Sequence, residues 1–122
     1  MISNEAPNAA SLFERGLELL SAGSPSEAAH AFRAAVAADP DFVEAHHGLV
    51  RALRDAGRLD QSVAAAMALT VLTPNDPLAH TVLSISLRQA GYLPQAEAAA
   101  ARARILEWKM QLKSPPDKDA LR

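Results

Sequence analysis

The chain reads as an all-α protein, a solenoid of three stacked helix–turn–helix units, and three observations predict it. Leu-x-x-Ala-Gly stands at residues 19–23, 53–57 and 87–91, each copy 34 residues after the one before. A fixed period of that length marks a unit that buries its apolar face only against copies of itself. Apolar residues make up 49% of the 122 residues, yet aromatics only 4%. Alanine supplies much of the difference; it is the best helix former and lets helices approach closely. Asp39-Pro40 and Thr73-Pro74, again 34 apart, close the first two units, because proline disfavours helix in the residue before it.

Each element then has a local cause. Asn8 is placed to cap a helix over residues 9–22, with Leu12, Gly16, Leu19 and Leu20 on one stripe. Gly23 ends it, since glycine enters the left-handed conformation at no steric cost. Ser24-Pro25-Ser26-Glu27 restarts the chain, with Ser24 as N-cap, Pro25 as the first helical residue and Glu27 closing a capping box, for a helix to residue 38. The second unit repeats the scheme over 42–56 and 59–72. In the third, Asn75-Asp76-Pro77 offers caps and an N-terminal proline for a helix to residue 90, Gly91 breaks it, and Pro94 opens the last helix.

That sixth helix is expected to differ. Trp108 stands where a third closing proline was due, and nothing from 95 to 113 breaks a helix. The helix should overrun by a turn or more and stop before Pro115-Pro116. The units are therefore residues 9–42, 43–76 and 77–113, the last with an extended final helix. Segments 1–8 and 114–122 are expected to be disordered.

Composition narrows function mainly by exclusion. Twelve Lys/Arg against 14 Asp/Glu give a net charge of −2, which leaves no basic footprint for nucleic acid. There is no cysteine, hence no disulfide or thiol chemistry. The first residues carry no secretory pattern, and charge interrupts every apolar stretch well short of a membrane span; a cytoplasmic protein without membrane partners is the expectation. Charge drifts along the chain. Residues 9–42 hold two Arg and five acids, whereas 77–110 hold four Arg/Lys and two acids. Such opposite ends read as drift in a solvated surface or as a basis for head-to-tail association.

No nucleophile elbow, phosphate loop or paired-carboxylate arrangement is present, so no enzyme and no cofactor is expected. The histidines do not form a metal site: His46 and His47 diverge by about 100° on a helix, His80 lies one repeat after His46, and His30 is on an outer helix. No two of them have the three- or four-residue spacing that lets imidazoles share an ion.

Over roughly residues 9–110 the chain resembles the tetratricopeptide repeat. Small residues where the paired helices cross fit Gly16, Ala28, Ser62 and Ala96; the large residue before the turn fits Leu19, Leu53 and Leu87; the closing proline fits Pro40 and Pro74. The family's later aromatic is matched by Phe32 alone, with Ala66 and Ala100 in the other units. Leu12, His46 and His80 stand where a bulky aromatic is common, and Val50 and Ser84 replace the small residue that Gly16 keeps. The resemblance implies a right-handed superhelix of six helices, with the first helix of each unit lining a concave face.

On that implied face lie Ala10, Phe13, Leu17 and Leu20 in unit one, Glu44, His47, Arg51 and Arg54 in unit two, and Leu78, Thr81, Ile85 and Arg88 in unit three. The lining is an apolar wall, a basic middle and a second apolar wall, which suits a peptide or protein segment with acidic residues between apolar anchors. A plain alternative for Arg51 is an exposed helix pair with Asp55, worth only tenths of a kcal/mol. Family members that clamp the C-terminal carboxylate of heat-shock chaperones use Lys, Asn and Arg side chains. The matching positions here are Phe13, Leu17, Gly48, Leu78 and Val82, none of which donates the required hydrogen bonds.

The last helix offers another surface. Ile105, Trp108 and Leu112 recur at helical steps, with Leu106 and Met110 on a second stripe. Either these residues fold back on the last repeat, or Trp108 and its neighbours stay exposed and join another chain, giving a homodimer. The expected function is a non-catalytic scaffold or adaptor. The alternatives are a self-assembling module that uses the last helix, or a chaperone shielding an apolar client segment.

Overall fold

A computed structural model describes residues 7–113. It contains α1 (Ala9–Ser21), α2 (Pro25–Ala38), α3 (Val43–Asp55), α4 (Leu59–Leu72), α5 (Pro77–Gln89) and α6 (Leu93–Lys113), with no strand among the described residues. Of the segments expected to be disordered, 1–6 and 114–122 lie outside them, whereas residues 7–8 are described and Asn8 caps α1.

The Leu-x-x-Ala-Gly signature is a helix-ending device. Gly23, Gly57 and Gly91 take φ of +79°, +76° and +91°. The amide after each glycine (Ser24, Arg58, Tyr92) donates to the carbonyl of the motif leucine (Leu19, Leu53, Leu87) at 2.9 Å in all three copies. This is the Schellman closure, in which the left-handed residue lets two otherwise unpaired carbonyls find donors. Leu53 and Leu87 also place their side chains in the core. One five-residue pattern thus ends a helix, reverses the chain and supplies a packing residue.

The caps divide by chemistry. Asn8 Oδ1 accepts from the Ser11 amide at 2.8 Å, and Asp76 Oδ1 from the Leu78 amide at 3.0 Å. Ser24 stands at the N-cap position, but its hydroxyl makes no capping bond, so the expected capping box does not form. Its backbone is committed to the preceding closure at φ −114°, ψ 66°. That is far from the extended geometry that aims a cap side chain at the third amide.

Each unit is a helical hairpin, and consecutive units stack through α2 on α3 and α4 on α5. The first helices also touch (α1 with α3, α3 with α5), whereas α2, α4 and α6 do not approach one another. The first-helix layer is therefore closed and the second-helix layer splayed, which curves the stack. Phe32 is the centre of the first junction: fully buried among Ala28, Ala29, Leu49, Ala52 and Leu53, with the Phe13 ring 5.7 Å away. It fits because glycine faces it from both sides. A Cβ built on Gly16 or on Gly48 would lie 2.6 Å from the Phe32 ring. At the next junction the corresponding residues, 34 further on, are Val50, Ala66 and Val82. Val50 and Ala66 are fully buried there. Volume has moved from the outer helix to the inner ones, which explains two departures from the family pattern at once.

The histidines at the expected aromatic position have a structural task. His46 Nε2 lies 2.7 Å from the Pro40 carbonyl oxygen, and His80 Nε2 lies 2.8 Å from that of Pro74. A carbonyl only accepts, so Nε2 carries the proton and donates. The Pro-x5-His spacing occurs in both inter-unit connections and ties each turn to the helix that follows it. His46→Leu is expected to cost about 1 kcal/mol, the net worth of one hydrogen bond, because the exposed Pro40 carbonyl returns to water. Urea unfolding checks this, with a lowered midpoint and an unchanged slope.

Candidate binding groove

The inner face is built by α1, α3 and α5, and its lining differs from unit to unit. In α1, Leu17 is 44% exposed, whereas Phe13 and Leu20 are half-buried against the first core cluster. The Phe13 ring also meets Phe42 at 5.0 Å. Phe13 therefore contributes as much to the junction as to the surface, and Leu17 is the accessible anchor of this wall.

In α3, Arg51 is exposed and lies 3.5 Å from Asp55, one turn on. An exposed pair of this kind contributes only tenths of a kcal/mol, so it holds the guanidinium loosely. Arg54 in α3 and Arg88 in α5 have no carboxylate partner among the described residues. His47 is half-buried, and burial lowers its pKa from the ordinary value of 6.5. Asp76 and Glu44 pull it back in part, while His46 pushes in the same direction as burial. Its ring is neutral at pH 7, so the arginines alone carry the positive charge of the middle section.

In α5, Thr81, Ile85 and Arg88 are brought together with α6. Along with Ser84, Ala100, Ala103 and Arg104 they line a cavity of about 390 Å³. Its origin is the repeat register. Ser84 and Ala100 stand where Gly16 and Phe32 stand in unit one, but no first helix of a following unit covers them among the described residues. The floor is consequently small and apolar, and the rim carries two guanidiniums, Arg88 and Arg104, together with the Glu107 carboxylate and the Gln89 amide. Sequence reasoning placed Thr81, Ile85 and Arg88 on the inner face but missed the α6 wall, because it treated second helices only as outer cover.

On α6, Ala99, Ala103 and Leu106 are buried, and the opposite side carries Ile105, Trp108 and Leu112 at 45%, 61% and 66% exposure. The helix is 21 residues long against 14 for α2 and α4. Its overrun, from Glu107, runs beside the start of α5 and carries Trp108 and Leu112 exposed. Leu106 thus packs on the last repeat, while Ile105, Trp108 and Leu112 are exposed in the single chain. No described helix is long and apolar enough to cross a membrane.

The family profile described as Tetratricopeptide repeat matches residues 19–85, more than half of the chain. The chain belongs to the tetratricopeptide repeat family. A comparison of the sequence with curated proteins finds no match. Among solved structures, MamA is similar with a TM-score of 0.81 at 16% identity, covering 90% of this chain and 60% of that one. The type III secretion translocator chaperone SycD of Yersinia enterocolitica has a TM-score of 0.74 at 19% identity, covering 93% and 81%. The second TPR of Spaghetti (RPAP3), bound to the HSP90 peptide SRMEEVD, has a TM-score of 0.73 at 16% identity, covering 81% and 92%. This tetratricopeptide repeat chain spans about three fifths of the MamA structures it matches. At these identities the likeness is one of fold.

Proposed function

We propose that this chain is a non-catalytic adaptor that holds a peptide or protein segment along the inner face of α1, α3 and α5. The observation that carries the reading is that Arg54 and Arg88 make no ion pair among the described residues. Arg54 lies one turn along α3 from the loosely held Arg51, Arg88 lies one turn along α5 from exposed Ile85, and Arg51 holds the register position between exposed Leu17 and Ile85. A segment with acidic residues between apolar anchors complements that lining, and arginine suits carboxylates through its forked donors. Two neighbours were solved with peptides, SycD with one from the translocator YopD and RPAP3 with one from HSP90. Heat-shock carboxylate capture does not extend to this chain, because Phe13, Leu17, Gly48, Leu78 and Val82 offer no side-chain donors at the clamp positions.

Affinity capture from native lysate with mass spectrometry tests the reading. Arg51→Glu/Arg54→Glu is expected to lower partner recovery at least tenfold with helicity by circular dichroism unchanged. Equal recovery by the variant removes the groove assignment.

A second reading rests on Ile105, Trp108 and Leu112, which form an exposed stripe opposite the buried face of α6. Large exposed apolar patches mark association sites, so this stripe supports a homodimer. Light scattering after size exclusion is then expected to give a dimer that Trp108→Glu converts to a monomer. A wild-type monomer at high micromolar concentration ends this reading. A chaperone role, such as the translocator chaperone SycD has, would shield an apolar client on the same inner face with Leu17 and Ile85 as the main contacts.

A further inference from the structure

The overrun of α6 gathers positive charge as well as apolar surface. Arg102, Lys109 and Lys113, spaced by seven and four residues, share one face of the helix. With Asn75 from the α4–α5 connection they line a cavity of about 210 Å³, whose remaining walls are Leu106 and Met110. No carboxylate of the described residues lines it. None of the three cations makes an ion pair among the described residues, although Arg104 on the same helix pairs with Glu97 at 3.5 Å.

The repeat offers no structural reason for these cations. One unit earlier the corresponding residues are Ala68, Asn75 and Ala79, and two units earlier Ala34, Asp41 and Ala45. The stack is built without positive charge at these positions; the cationic cluster belongs to unit three alone. Three like charges around one cavity repel each other in the empty state, and an anion relieves that repulsion. The cavity volume equals that of several waters at about 30 Å³ each, ample for a tetrahedral oxyanion. A single carboxylate would be satisfied by one guanidinium. Three cations match a phosphate group, which carries about −1.5 to −2 at neutral pH and three acceptor oxygens.

We infer that Arg102, Lys109, Lys113 and Asn75 form a phosphate-binding site on the outer end of α6, separate from the inner groove. Its ligand is a phosphorylated group, either of a free compound or of a lipid headgroup. Asn75 donates its amide, Arg102 its fork and the two lysines mobile charge. The site is independent of partner capture, so Arg51→Glu/Arg54→Glu leaves it intact.

The test is titration of the isotopically labelled full chain with inorganic pyrophosphate, followed by NMR at constant ionic strength. Saturable shifts are expected at Asn75, Arg102, Lys109 and Lys113, and Lys109→Gln/Lys113→Gln is expected to weaken binding at least tenfold with the remaining spectrum preserved. Co-sedimentation with phosphatidylglycerol and with phosphatidylcholine vesicles separates the sources. Sedimentation with the anionic vesicles that pyrophosphate competes away assigns a lipid headgroup; pyrophosphate binding without sedimentation assigns a free compound. The proposal is overturned by shifts that do not saturate, by equal binding in the double variant, or by a poly-glutamate peptide that binds the same residues more tightly than pyrophosphate.

Discussion

Phe32→Ala is expected to lower the unfolding free energy by about 4 kcal/mol, within the usual range for deleting a buried aromatic. The ring is fully buried, and it closes the space between α1, α2 and α3. Small domains have only about 5–15 kcal/mol of stability in total, so this is a large fraction. In a stack each unit contacts only its neighbours, and the loss falls on the coupling between units one and two. Hydrogen exchange should therefore show α1 and α2 losing protection well before α5 and α6. Urea unfolding should become broader, since the first unit detaches from a still-folded remainder. A uniform loss of protection across all six helices would contradict the assignment of Phe32 to one junction.

Gly48→Ala is the second large effect, and its sign should depend on Phe32. In an exposed helix interior the change stabilises by about 1 kcal/mol. Here the new methyl meets the Phe32 ring at 2.6 Å. A fully buried aromatic held from both sides cannot swing aside, so overpacking of about 1–3 kcal/mol outweighs the propensity gain. In the Phe32→Ala background the clash is gone and the methyl fills part of the cavity; Gly48→Ala should then stabilise. A double-mutant cycle by urea denaturation measures this reversal. A destabilising Gly48→Ala in both backgrounds would mean that the glycine is needed for backbone reasons instead.

These two residues illustrate how far the chain can be read without coordinates. The three-fold Leu-x-x-Ala-Gly spacing places all six helices because it is local: the glycine conformation and the leucine carbonyl bond lie within one turn. Helix bounds follow to within a residue or two for the same reason. Ser24 misleads because the capping pattern matches while the preceding Schellman closure has already set its backbone. The exchange of Gly16, Phe32 and Gly48 for Val50, Ala66 and Val82 looks like weak conformity in a single repeat. It becomes a conserved volume only when α1, α2 and α3 are seen to meet at one point. The Pro40–His46 and Pro74–His80 bonds had a signal, the doubled Pro-x5-His, whose meaning depends on the turn that brings each proline carbonyl over the next helix.

The inner face was legible in outline, since helical periodicity selects Leu17, Arg51, Arg54, Ile85 and Arg88. Its unevenness was not. Phe13 turns out to be shared with the core, and burial keeps His47 neutral. The α6 residues Ala100, Ala103 and Arg104 join the third wall. Each of these depends on what the neighbouring unit places opposite, which spacing within one helix does not encode.

Hydrogen–deuterium exchange of the captured complex against the free chain decides whether the face made by α1, α3 and α5 holds the partner. Added protection is predicted in peptides spanning residues 13–20, 47–54 and 81–88, with the outer surfaces of α2 and α4 unchanged. Protection confined to α2 and α4, or to the α6 overrun around Trp108, would contradict it.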